Sequence, residues 1–175
     1  MSYLAFENYE LLKGKLHVFK SAKYEKVIKM LDNFKTGVIF VGGSWCPNCQ
    51  AVVDIINKTA KKNKIRSIQH YDPKFTNAFN EVVDLRDCGD LDTKLNYYCL
   101  VEKIGYESEK VVPETLIPRI SVPAVVGIKN GTCVGIVEGE YLLDGDILHE
   151  KDSDIDMKED YINKLEQLFK KVNEK

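Results

Sequence analysis

A chain of 175 residues falls within the size range of one hydrophobic core, about 100–200 residues, so a single domain over 1–175 is expected. A composition of 44% hydrophobic and 30% charged residues is that of a globular protein and speaks against a disordered or fibrous chain. A net charge of -2 gives no ground for expecting nucleic-acid or anionic-membrane binding, and no stretch is long and apolar enough to cross a bilayer.

The first ten residues, Met1 to Glu10, lack a basic start followed by an apolar run, so no signal peptide is expected and the anticipated location is cytoplasmic. Lys15 to Lys20 alternates in polarity and reads as a first strand. Ser21 can cap a helix running to about Phe34, with Val27, Ile28, Leu31 and Phe34 on one face. Thr36 to Gly42 is an almost continuous apolar run, the pattern of a central strand covered on both faces. Gly42 and Gly43 permit a close backbone approach to the segment that follows.

That segment is Trp45-Cys46-Pro47-Asn48-Cys49. Pro47 suits the first turn of a helix, and Ala51, Val52, Ile55, Ile56 and Thr59 give the helix a buried side. A helix start offers unpaired N–H groups and a positive dipole end, which lower the pKa of a cysteine placed there. Cys49, one turn along, is close enough for the two sulfurs to form a small disulfide ring. Lys61-Lys62-Asn63-Lys64 reads as the solvated end of this helix.

Ile65 to Tyr71 forms a third strand, stopped by Asp72-Pro73. The β-α-β-α-β order favours a parallel sheet with right-handed crossovers. Within residues 74–117, Phe75, Phe79, Val82 and Val83 recur at helical spacing, as do Leu91, Leu95 and Tyr98, with a break at Cys88-Gly89-Asp90. This stretch therefore reads as a helical insertion. Ala124 to Lys129 and Thr132 to Glu138 read as a hairpin turning at Asn130-Gly131. Residues 140–156 read as an acidic loop, and a last helix from about Asp156 to Val172 carries Tyr161, Leu165, Leu168, Phe169 and Val172 on its apolar face.

Five cysteines is an odd count, and in a reducing cytosol a close pair is catalytic or metal-binding more readily than structural. Zinc needs four suitably spaced ligands, and Cys88 and Cys99 supply no second knuckle, so no metal is expected. Cys88, Cys99 and Cys133 read as small half-buried side chains, with a Cys88–Cys99 redox pair as the alternative. Asp152 to Asp156 begins like a calcium loop, but Met157 and Asn163 stand where that loop needs glycine and glutamate. His17, His70 and His149 form no sequence cluster. His70 reads as a partly exposed strand end that could instead tune Cys46.

The dithiol motif, Asp72-Pro73 after the third strand, and Val122-Pro123-Ala124 ahead of Lys129-Asn130-Gly131 resemble the thioredoxin-like thiol–disulfide oxidoreductases. The resemblance covers roughly residues 15–73 and 119–172. It implies an α/β thioredoxin fold, a central mixed β-sheet flanked by helices, with the helical insertion between the third strand and a cis-Pro123 strand. It also implies Cys46 as the exposed attacking thiol, Cys49 as the buried resolving thiol, and a Val122 backbone that pairs with substrate beside Trp45, Pro47 and Asn48. The chemistry is dithiol exchange with a disulfide-containing protein or small molecule, recycled by a separate reductase, with no organic cofactor. Trp45 would cover the sulfurs and meet partners, or pack against the last helix or the insertion.

Three departures from the family pattern shape these expectations, one of them the segment 74–117, much longer than the short helix thioredoxins use between these strands. Phe40 stands where many thioredoxins bury an acid. Pro47-Asn48 places no cationic side chain between the cysteines, which favours a reductase over an oxidase. The competing functions are a non-catalytic adaptor that uses the insertion, and a redox sensor.

Overall fold

The computed structural model describes residues 6–76, 79–87, 91–139 and 152–174. Among the described residues, seven strands and four α-helices run in the order β1 (Phe19–Ser21), α1 (Tyr24–Asp32), β2 (Gly37–Val41), α2 (Pro47–Lys62), β3 (Ile68–Tyr71), β4 (Lys74–Thr76), β5 (Val82–Asp84), α3 (Leu91–Ile104), β6 (Ala124–Lys129), β7 (Thr132–Glu138) and α4 (Asp152–Asn173). The main sheet has five strands in the order β1-β3-β2-β6-β7. β3 lies parallel to both β1 and β2, whereas β6 is antiparallel to β2 and β7. This is a thioredoxin-like fold: a mixed sheet flanked by helices, with the parallel crossovers first and the hairpin last.

The sheet separates two apolar clusters. One gathers Phe40, Cys49, Val52, Ile56 and Ile68 with Leu165 and Phe169 of α4 and with Phe6 and Tyr9. The other gathers Val27, Leu31, Ile39, Val41 and Val126 with Tyr97, Leu100, Val101 and Ile104 of α3. β2 is central, and four of its five residues are buried. All the apolar residues expected on the last helix are buried. The Val122–Pro123 peptide leading into β6 is cis, and Asn130 and Gly131 both take positive φ at the β6–β7 turn.

Several boundaries differ from the sequence expectations. The first strand is Phe19–Ser21, not 15–20, because α2 side chains satisfy the preceding backbone. Asn57 accepts from the Val18 N–H, and Lys61 and Asn57 both donate to the Leu16 carbonyl. Ser21 therefore lies in β1 opposite His70, and α1 starts at Tyr24 after Lys23, without a side-chain cap. Phe34 is not on the α1 core face; it sits past the helix at φ 52, 76% exposed. The third strand starts at Ile68, after Lys64 has taken a positive φ.

The first half of the insertion is not helical. Lys74–Thr76 and Val82–Asp84 pair as an antiparallel hairpin, Phe75 opposite Val83. Phe75, Phe79 and Val82 are 42%, 84% and 73% exposed, so their helical spacing buries nothing, and β-branched Thr76, Val82 and Val83 suit a ladder. α3 exists, but its buried stripe is Tyr97, Leu100, Val101 and Ile104, while Leu95 and Tyr98 face solvent. That stripe fills all of i, i+3, i+4 and i+7, a wider seam than the one read from Leu91, Leu95 and Tyr98. The break at Cys88-Gly89-Asp90 lies outside the described residues, as does most of the acidic loop. The backbone is already helical from Asp152, where the calcium-loop pattern begins.

Candidate active site

Cys46 is the N-cap of α2, and Pro47 opens the helix. Its extended backbone turns the Cys46 sulfur over the free amides of the first turn, and the Cys49 N–H donates to it at 3.4 Å. The Cys46 carbonyl accepts from the Gln50 N–H, and the Cys46 N–H returns to the Gly43 carbonyl. Gln50 then ties the loop down: its amide nitrogen donates to the carbonyls of Ser44 and Asn8, and its oxygen accepts from the Glu10 N–H. Nothing in the local pattern marked Gln50, because two of its three partners, Asn8 and Glu10, come from the distant N-terminal segment.

Across the site, the Cys46 sulfur lies 3.8 Å from the Val122 carbonyl oxygen. The structure therefore gathers Trp45, Cys46, Pro47, Asn48 and Cys49 at one helix start, with the turn at Val122 and buried Pro123 facing it. Cys46 is buried, at 7% exposure, rather than exposed as the resemblance implies, because the Val122 turn covers it; Cys49 is at 0%. Both thiols are free, as are Cys99 and Cys133. Cys99 on α3 and Cys133 on β7 are half-buried. Cys88 and His149 lie outside the described residues.

The two sulfurs differ in acidity. Hydrogen bonding from the Cys49 thiol and from the Asn48 and Cys49 amides, with the positive charge of Arg86, brings Cys46 down to about 6 despite its burial. Burial raises Cys49 far above the usual thiol range, and its place beside the Cys46 sulfur adds to the rise. An ideal Cβ at Gly42 would stand 2.7 Å from the Cys49 sulfur, and one at Gly43 only 2.5 Å from Asp72 Oδ2. The expected close approach at this glycine pair is thus present.

Trp45 flanks the sulfurs and is 37% exposed. Its indole N–H donates to Asp72 at 2.9 Å, Lys74 lies 3.8 Å from its ring centroid, and the Arg86 guanidinium carbon lies 5.1 Å away. Of the two packing partners considered for Trp45, the insertion is the one it meets here. Burial raises the Asp72 carboxyl, against the pull of its bonds from Trp45 and from the Lys74 N–H.

His70 corrects the sequence reading. It is 4% exposed, enclosed by Phe6 and Phe40, with its Nε2 3.0 Å from the Tyr9 hydroxyl. Burial brings its pKa down to about 4. Tyr9 is raised by burial and then by the nearby Cys49, Asp72 and Cys46. Behind Cys49, then, stand Phe40 and a neutral His70–Tyr9 pair. Among the described residues no three His, Cys, Asp or Glu side chains converge as metal ligands, and no helix is long and apolar enough to cross a membrane.

No known protein-family model matches the sequence, and no curated protein matches it. Among solved structures, the chain is similar to thioredoxin O2 from Arabidopsis thaliana in its oxidized state. The two share 15% identity over 83% of this chain and 96% of that one, at a TM-score of 0.39. The strand order and the crossovers define the fold as thioredoxin-like.

Proposed function

We propose that this protein is a thiol–disulfide oxidoreductase that reduces protein or small-molecule disulfides through Cys46 and Cys49. The observation that carries the reading is the placement of two free thiols one turn apart at one helix start, with the Cys49 N–H donating to the Cys46 sulfur at 3.4 Å and the Val122 carbonyl 3.8 Å across from it; the surroundings lower Cys46 to about 6 and raise Cys49. Near neutral pH, Cys46 is then the thiolate and Cys49 holds its proton.

In the reaction, the Cys46 thiolate attacks one sulfur of the substrate disulfide. A Cys46–substrate disulfide forms, and the other substrate sulfur leaves as a thiolate that takes a proton from water. Cys49 gives up its proton and attacks the Cys46 sulfur, so the mixed disulfide breaks and the second substrate thiol is released. The substrate gains two electrons and two protons, and the protein is left with a Cys46–Cys49 disulfide. A separate dithiol reductant restores it. Trp45, Pro47, Asn48 and the Val122-Pro123 turn would contact the substrate. The reductive direction is the one that suits a cytoplasmic setting. Insertion 74–117 is read as part of a single domain at 1–175.

Insulin reduction by turbidity tests the assignment. Cys46→Ser should lower the rate at least about 100-fold, to background. Cys49→Ser should accumulate a mixed disulfide with substrate, visible as an added mass on the Cys46 peptide. Full activity of Cys46→Ser ends the reading. The adaptor alternative requires both cysteines to be replaceable without loss of partner binding.

A further inference from the structure

A buried arginine needs a reason. Arg86 follows the β4–β5 hairpin and is 4% exposed, although taking a guanidinium out of water is costly unless its donors are satisfied. They are satisfied by two separate parts of the chain. Nε and Nη2 form a fork on the Asp84 carboxylate at 2.9 and 2.7 Å, and Nη1 donates to the Ile120 carbonyl at 3.3 Å. Ile120 lies just ahead of Val122, whose carbonyl faces the Cys46 sulfur. The same guanidinium lies over the Trp45 ring, one residue before Cys46. One side chain of the insertion thus meets Trp45, next to Cys46, and the segment that leads to Val122 across from it.

We propose that Arg86 is a positioning residue of the dithiol site: it locks the insertion onto Trp45 and the Ile120–Val122 turn, and it presents a fixed positive charge to the Cys46 sulfur. This rests on the reading of Cys46 as the attacking thiol. It supplies from the insertion the cation that Pro47-Asn48 lacks. The charged and titratable groups around Cys46 are Cys49 from α2, Tyr9 from the N-terminal segment, Arg86, and Asp72 and Lys74 beside Trp45. Arg86 and Lys74 carry the positive charge; Arg86 is the buried one, and its effect on Cys46 is to lower its pKa. Arginine suits the place because its planar fork can hold a carboxylate while its face lies on an aromatic ring.

The test is the pH profile of iodoacetamide alkylation of Cys46, read by mass spectrometry of the Cys46 peptide in the full chain. Removing a nearby opposite charge should raise the midpoint by about one unit in Arg86→Met, so alkylation near pH 6.5 slows about threefold. Arg86→Lys, which keeps the charge, should recover most of that shift. A folded Arg86→Met protein with the wild-type midpoint overturns the proposal, even if its Tm falls, since a purely structural arginine would lower Tm alone. Should Arg86→Met fail to fold, Arg86→Gln and Arg86→Lys decide: equal midpoints overturn the proposal, and a higher midpoint for Gln upholds it. A wild-type midpoint at the ordinary thiol value would instead sink the assignment of Cys46 as nucleophile, which separates the two failures.

Discussion

The two sulfurs sit one helical turn apart in contrasting surroundings. The Cys46 side is a rim of polar groups: helix-start amides, the Val122 carbonyl, and Trp45 held by Asp72, Lys74 and Arg86. The Cys49 side is a sealed wall of Gly42, Phe40 and Val52 with the neutral His70–Tyr9 pair close by. Both sulfurs are shielded from water, at 7% and 0% exposure. On the Cys49 side burial prevails and raises the thiol, whereas on the Cys46 side hydrogen-bond donors and a cation outweigh it. Site acidity here is decided by whether donors and positive charge offset the loss of water around a sulfur.

The largest effect expected from disturbing this contrast lies on the sealed side, at His70. Its folded pKa of about 4 lies below the ordinary histidine value of 6.5, so the unfolded chain binds the proton more readily. The resulting stability is intact above about pH 6.5 and is lost as pH falls towards 4, by about 3 kcal/mol in all. Urea melts of wild type and His70→Gln between pH 4 and 7 should diverge with that slope; parallel curves would show that His70 is not held neutral by burial. Gly42→Ala comes next. The added methyl meets the Cys49 sulfur and the Phe40 ring, and overpacking of this kind costs about 1–3 kcal/mol, visible as a lower Tm. An unchanged Tm would mean that the wall yields. The smallest effect belongs to the rim: Lys74→Ala removes a cation over Trp45 worth about 0.5–1 kcal/mol and should shift Trp45 emission while the Cys49 side stays intact.

The rim and the wall were unequally legible in the sequence. Cys46, Pro47 and Cys49 lie within one helical turn, and β2, α2, the β6–β7 hairpin and α4 each carry their signal within a few consecutive residues. Local pattern suffices there. His70 and Tyr9 meet across 61 positions, and Gln50 reaches back to Asn8 and Glu10, so nothing in their neighbourhoods announced the contact. Arg86 was hidden for a related reason. The 75–83 stretch has apolar residues at spacings that fit a helix, and only the ladder between Phe75 and Val83, with the Asp84–Arg86 fork behind it, shows that a hairpin wins. The α3 face was misjudged because two overlapping apolar stripes run along one helix, and the sheet selects the wider.

The β6–β7 turn has a practical consequence for anyone attaching a probe to this protein. Hairpin tips ordinarily accept added residues, but a Cβ at Gly131 would stand 2.4 Å from the Leu31 carbonyl, and the Gly131 N–H is already given to Lys35. A dye or affinity handle spliced there would lever α1 off the sheet edge. Gly14 and Gly105 have open space around them, but both hold positive φ, 65° and 61°, so a linker spliced at either place should keep the glycine itself.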